Sequence, residues 1–331
     1  MSAHAIRTES GIGNEPPLPA PRPSSAIFDI PIDLAPPAEL LRTISSWAGQ
    51  QRTRRVMYVN AHVVNQSRVT PGLVTALRGA DLVYCDGYGV RLAARVLNMP
   101  VPHRMTGADW IWGLATLCER SRQPIYLLGS EPPIAREAAY RLQKLYPRLD
   151  VVGAHHGFFD LDSAHNDRVI EDIKAHAPGI VLVGMGTPKQ ELWVDRYAAE
   201  LDGAVVWTVG ALFDYVSGHT PRAPRWLADN GLEWIFRLAI DPSRMWRRYL
   251  IGNPIFLSRV AGEAHRVAGE AHRVARDAPR IWGEGHVAGN GHWPAGAPHP
   301  LPAAAPQTPA PARLLPLARR PLVRVRAIAE R

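Results

Sequence analysis

The stretch Gly179-Ile-Val-Leu-Val-Gly-Met-Gly-Thr-Pro-Lys-Gln-Glu191 decides the fold. Ile180 to Val183 form an apolar run with no polar residue in it. Such a run predicts a strand buried on both faces, where a half-exposed strand would alternate. The glycines after it predict a tight turn, and residues 189–201 have helical spacing. The same unit recurs on both sides. Strands are predicted over 55–60, 81–86, 124–129, 150–154 and 204–209, and a helix over 132–146. Residues 39–47, behind Pro36 and Pro37, also have helical spacing. Strand–helix alternation predicts an α/β fold: a Rossmann-like, doubly wound, mostly parallel sheet, with a helical basic appendage after it.

In such sheets ligands sit beyond the carboxyl ends of the strands. Those ends read Asn60, Asp86-Gly87, Gly129-Ser130, Gly184 to Gln190, and Gly210-Ala211. Glycine lets backbone approach closely, and a helix N-terminus offers free N–H groups to a phosphate. Gly129, Ser130, Gly184, Gly186, Lys189 and Gly210 are therefore candidates to hold a nucleotide or another phosphorylated ligand. Tight strand–helix turns are the plainer use of any one of these glycines. Asp86 ends a buried run, where a carboxylate can serve as a general base; a turn or cap aspartate is the plainer reading. Thr106 or Gly107 could cap the apolar helix over 110–118, with Arg104 within reach of an anion. The Asp160-Leu161-Asp162 triplet spells the metal signature of many sugar-nucleotide transferases, but its polar connector reads as a turn or cap. His155, His156, His165 and His176 have no spacing typical of metal ligands.

Composition narrows the class. Among 331 residues, 46% are hydrophobic and 21% charged, enough for a sizeable core. The two cysteines, Cys85 and Cys118, exclude a disulfide scaffold and read as core thiols in a reducing compartment. No run of about 18 apolar residues predicts a membrane span. The first residues lack a charged-then-apolar pattern, so export is not expected. The net charge of +8, carried by Arg with only Lys144, Lys174 and Lys189 as lysines, suggests anionic partners.

Domain organisation follows from composition. Residues 1–35 are expected to be a disordered, Pro-rich N-terminal segment, and 36–218 an α/β core. Residues 219–258 form an appendage rich in arginine and aromatic residues, a pattern suited to a membrane interface, to single-stranded nucleic acid, or simply to a packed helix. Residues 259–280 repeat Arg-Val-Ala-Gly-Glu-Ala-His twice and read as a loose helical spacer. Residues 281–331 read as a disordered Pro/Ala tail.

Several motifs occur in order. They are Asp86-Gly-Tyr-Gly-Val90, Arg104-Met-Thr-Gly-Ala-Asp109, Tyr126-Leu-Leu-Gly-Ser130 and Gly184-Met-Gly-Thr-Pro-Lys-Gln-Glu191. Val209-Gly-Ala-Leu-Phe-Asp-Tyr215, Arg222-Ala-Pro-Arg-Trp226, Gly231-Leu-Glu-Trp234 and Trp246-Arg-Arg-Tyr-Leu250 follow. Over about 36–258 the chain resembles the WecG/TagA/CpsF family of bacterial glycosyltransferases. The resemblance implies an inverting hexosyltransferase that needs no D-x-D metal and no cofactor. It implies transfer from a UDP-sugar donor to a polyprenyl-diphosphate-linked sugar acceptor in surface polysaccharide synthesis. By position, Asp86 matches the general base, and Arg104 and Gln190 match active-site residues. Asn60 matches a strand-end asparagine near the site. Arg237, Arg244 and Arg247 match an appendage that meets the lipid diphosphate and an anionic inner-membrane surface. The expected location is cytoplasmic, peripheral on the inner face of the plasma membrane. A nucleic-acid partner is not expected, and a homo-oligomer is left open. One departure is Tyr58, where the family often has threonine. The alternative is a nucleotide-binding oxidoreductase on the same architecture. It lacks support because Lys189 replaces the third glycine of the dinucleotide fingerprint.

Overall fold

A computed structural model describes residues 24–283. The N-terminal hairpin pairs β1 (Ser24–Ile27) with β2 (Ile30–Asp33) in antiparallel register. Then follow α1 (Pro37–Trp47), β3 (Arg54–Val59), α2 (Ala61–Ser67), α3 (Leu73–Arg78), β4 (Leu82–Cys85), α4 (Gly89–Val96) and α5 (Gly107–Ser121). The next units are β5 (Ile125–Gly129), α6 (Pro132–Leu145), β6 (Val151–His155), α7 (Ala164–His176), β7 (Ile180–Gly184), α8 (Lys189–Tyr197), β8 (Val205–Thr208) and α9 (Leu212–Ser217). The appendage holds α10 (Arg225–Asp229), α11 (Glu233–Ile240) and α12 (Pro242–Trp246). A π-helical turn over Arg247–Ile251 leads into α13 (Gly252–Gly283).

The six predicted strands form one all-parallel sheet in the order β4-β3-β8-β7-β5-β6. Every residue of β4, β5, β7 and β8 is buried, as their unbroken apolar runs require. Helices α1, α5, α6 and α9 pack as one layer, and α2, α3 and α8 as another. Trp193 Nε1 on α8 donates to Asn166 Oδ1 on α7, 2.7 Å away, tying α7 to that second layer. The crossovers from β5 and β7 leave in opposite directions, toward β6 and β8. This reversal opens a crevice beyond the strand ends.

The hairpin corrects the expectation that residues up to 35 are disordered. Ile27, Ile30 and Ile32 are buried, and Asp33 Oδ2 accepts from Val83 N at 3.0 Å beside the edge strand β4. Its two-residue turn, Phe28-Asp29, has positive φ at both positions, 54° and 66°, as the hairpin's twist demands. The expected Pro-rich segment up to residue 23 and the tail from residue 284 lie outside the described residues. The boundary drawn at 258/259 also falls inside a continuous helix. Phe256 and Val260 of α13 are buried, and Arg259 Nη1 reaches Asn65 Oδ1 at 2.9 Å. Further along, Arg266 pairs with Glu263 and Glu270, the helix-turn spacing that the seven-residue repeat builds in.

Candidate active site

Parallel pairing of β3 with β4 sets Val59 beside Cys85, so the next residues, Asn60 and Asp86, emerge side by side. Asn60 caps α2: its Oδ1 accepts from Val63 N at 3.0 Å. That leaves its Nδ2 to face Asp86 Oδ2 at 3.4 Å. The backbone N–H of Asp86 donates to Val59 O at 2.9 Å, which fixes where its carboxylate starts.

Two cavities meet at this carboxylate. One, of about 930 Å³, runs across the strand ends and is bounded by Ser130, Gly184, Gly186, Lys189, Gly210 and the appendage residues Arg244 and Arg247. The other, of about 500 Å³, lies between α4 and the appendage and is bounded by Tyr88, Arg104, Trp234, Tyr249 and Leu257. Asn60, His62, Asp86, Thr106, Arg237 and Arg248 border both. The hydroxyl of Thr106, a residue that borders both cavities, is buried and has no hydrogen-bond partner among the described residues.

Burial raises the Asp86 carboxyl above its ordinary value. Arg237 opposes the shift, Glu233 adds to it, and the Asn60 bond and Arg248 oppose it. Arg237 keeps its charge. Burial works against that charge, but Tyr215, Tyr249, Glu233 and Asp86 outweigh it. Its Nη2 donates to Glu233 Oε1 at 3.1 Å, and its guanidinium lies 5.1 Å from the centre of the Tyr215 ring. His62 is held neutral: burial, then Arg248, lowers it to about 4.

Several predicted residues stand elsewhere than expected. Gln190 is fully buried and borders neither cavity. Its Nε2 donates to Tyr58 Oη at 3.1 Å and to Glu191 Oε1 at 2.7 Å, and its Oε1 accepts from Gly210 N at 3.0 Å. It therefore braces the cavity floor from behind, through the cavity-lining Tyr58 and Gly210. Gly129 is also set back. A Cβ there would lie 2.3 Å from Gly184 O, one on Gly184 2.7 Å from Gly210 O, and one on Gly210 2.7 Å from Tyr58 Oη. These glycines let neighbouring strand ends close on one another, the plainer of the two readings, although Gly184 and Gly210 also border the cavity. Ser130 spends its hydroxyl on Asp214 Oδ1 at 3.1 Å. The Lys189 ammonium bonds the carbonyls of Gly157 and Phe159. Arg104 borders the smaller cavity and reaches Asp229 at 3.5 Å, Asp109 at 3.7 Å and Glu233 at 4.0 Å. It pins the appendage to the core. Asp162 pairs with Arg196, and Ser163 caps α7, so the D-x-D is a turn, as read. Cys85 and Cys118 are buried.

Sequence reading missed Arg248 and Glu233 as site residues. Nothing in their spacing marks them. The π-helical turn presents Arg247 to the larger cavity while Arg248 borders both, and α11 carries Glu233 one turn before Arg237.

A buried carboxylate shared by two cavities, with guanidinium groups around it on a parallel α/β sheet, is an arrangement suited to a group-transfer enzyme. Residues 25–269 match the glycosyl transferase WecG/TagA/CpsF family. The chain belongs to this family, and it is a glycosyltransferase of the hexosyltransferase class. A relative from Staphylococcus aureus strain NCTC 8325 / PS 47 is 29% identical over 237 residues, covering 71% of this chain and 91% of the relative. It is named an N-acetylglucosaminyldiphosphoundecaprenol N-acetyl-beta-D-mannosaminyltransferase. A protein of the same name from strain MRSA252 is 28% identical over the same span. Among the described residues no helix is long and apolar enough to cross a membrane.

Proposed function

We propose that the chain transfers a hexose or N-acetylhexosamine from a UDP-sugar to a polyprenyl-diphosphate-linked sugar, with inversion and with Asp86 as the general base. The observation that carries this reading is the place of Asp86, shared by the two cavities. The larger cavity takes the nucleotide-sugar. The smaller, bounded by Trp234, Tyr249, Leu250 and Leu257, takes the acceptor. The acceptor hydroxyl oxygen attacks the anomeric carbon while its proton passes to Asp86. The bond from that carbon to the β-phosphate oxygen breaks, and UDP departs with an added negative charge. Arg244, Arg247 and Arg248 border the larger cavity and are placed to receive that charge without a metal ion bridging the diphosphate. A carboxyl raised by burial is closer in pKa to the working pH, which suits a base.

Membrane engagement belongs to the same proposal. Trp226, Ile235, Ile240, Trp246, Leu250 and Ile251 of the appendage are exposed beside its arginines. Apolar side chains among cations suit the surface of an anionic bilayer. The reaction then occurs on the inner, cytoplasmic face, where a polyprenyl-linked acceptor and a soluble nucleotide-sugar meet.

Asp86→Asn tests the chemistry. Transfer from a UDP-N-acetylhexosamine to a short-chain diphosphate-linked acceptor is expected to fall by about 10²–10⁴-fold. UDP binding, read by calorimetry, is expected to stay. Turnover within a few-fold of the wild type would remove Asp86 as the base.

A further inference from the structure

We propose that His155, His156 and His165 form a binding site for one zinc ion at the rim of the larger cavity. The proposal does not rest on the transferase reading. His155 ends the edge strand β6, His156 follows it, and His165 sits in the first turn of α7. One ring nitrogen from each of the three lies within 4.8 Å of the others, and all three side chains are partly exposed.

The geometry of the pair His155–His165 is the strongest point. The Nε2 atoms are 3.4 Å apart. That is long for a hydrogen bond, whose usual length is about 2.9–3.0 Å. Two nitrogens bound tetrahedrally to one zinc, at about 2.0–2.1 Å each, stand about 3.3–3.4 Å apart. The tautomer also suits a metal. His155 Nδ1 lies 2.8 Å from the carbonyl oxygen of His156, to which it donates, so its Nε2 carries the free lone pair. A backbone carbonyl orienting a ligand histidine in this way is the usual outer support of a metal site. The third ring, His156, has its centre 4.4 Å from that of His155 and 5.3 Å from that of His165.

Ligand type selects the ion. Three imidazoles favour zinc and its transition-metal neighbours, whereas magnesium and calcium demand oxygen ligands. Arg136 and Lys189 act on His156 and oppose any added positive charge, so only an ion with high intrinsic affinity for imidazole would bind.

The site lies away from Asp86. β6 and β4 are opposite edges of the six-stranded sheet, about five strand spacings or roughly 24 Å apart. Its influence is therefore on the cavity rim. Gly157 and Phe158, directly after His156, border the larger cavity. Phe158 N donates to His156 Nδ1 at 3.2 Å, and coordination through either ring nitrogen gives up that bond. Zinc occupancy is thereby linked to the position of Phe158.

The test uses the full chain, free of affinity tags and stripped with a chelator. Titration with Co²⁺ is expected to give the intense visible absorption of four-coordinate cobalt, saturating at one equivalent and abolished by one equivalent of Zn²⁺. His155→Ala and His165→Asn are each expected to lower zinc affinity more than about 100-fold, while exposed His272→Ala leaves it unchanged. Circular dichroism confirms that each variant is folded; loss of binding in the more conservative folded variant, His165→Asn, is sufficient support. Absence of one-to-one binding, a weak six-coordinate cobalt spectrum, or unchanged affinity in both folded variants would overturn the site.

Discussion

Glu191→Gln tests the floor of the larger cavity through its response to pH. The Glu191 side chain is fully buried. Its Oε1 accepts from Gln190 Nε2 at 2.7 Å and from Thr187 Oγ1 at 3.0 Å, while Oε2 has no hydrogen-bond partner among the described residues. Burial lifts the carboxyl from 4.5 to about 7, although these hydrogen bonds pull the other way. The folded protein therefore keeps a proton that the unfolded chain releases. Stability from this group is full below about pH 4.5 and is lost as pH rises through about 7. At 1.36 kcal/mol per pH unit, the loss is about 3 kcal/mol, complete by about pH 8. Glutamine keeps a carbonyl for Gln190 and Thr187 and cannot ionise. The stability of Glu191→Gln relative to wild type should thus improve by about 3 kcal/mol between pH 4.5 and 8. In a domain of this size that is about 6–12 °C in melting temperature. Urea unfolding followed by circular dichroism at pH 5, 6, 7 and 8 reads it directly. Parallel wild-type and variant curves would show that Glu191 ionises normally and would refute the argument from its burial.

Arg237→Gln removes the cation that most opposes the upward shift of Asp86. If Asp86 is the base as proposed, the acid limb of the kcat/KM profile should move to higher pH; an unmoved limb would separate Arg237 from that titration. On the membrane side, Arg247→Gln should weaken binding to anionic vesicles about fivefold, since one basic residue near such a surface is worth about 1 kcal/mol. Co-sedimentation at low salt measures this. Equal partition would place Arg247 away from the lipid.

The strand positions were readable because a strand buried on both faces leaves an unbroken apolar run. Each predicted strand lies within a residue or two of the observed one. Candidate residues at the strand ends followed from the general rule for parallel sheets, and Asp86 and Asn60 do stand together at the cavity. The hairpin over 24–33 was hidden. Its three buried isoleucines follow a proline-rich stretch, and its Phe-Asp turn lacks the glycine that usually signals one.

Local sequence determined which segments become strands, because apolar periodicity acts over a few residues. It also placed a carboxylate at the end of one strand, and it supplied the basic character of residues 219–258. Only the tertiary structure decided what surrounds that carboxylate. Strand order brought Asn60 to Asp86, and the appendage folded back to set Arg237, Glu233 and Arg248 around it. It also set Gln190, matched by resemblance to an active-site residue, as a buried brace behind the cavity wall, and it gathered three histidines that no ligand spacing joins. Charge, burial and pKa depend on neighbours far apart in the chain, and the chain alone does not say which neighbours those are.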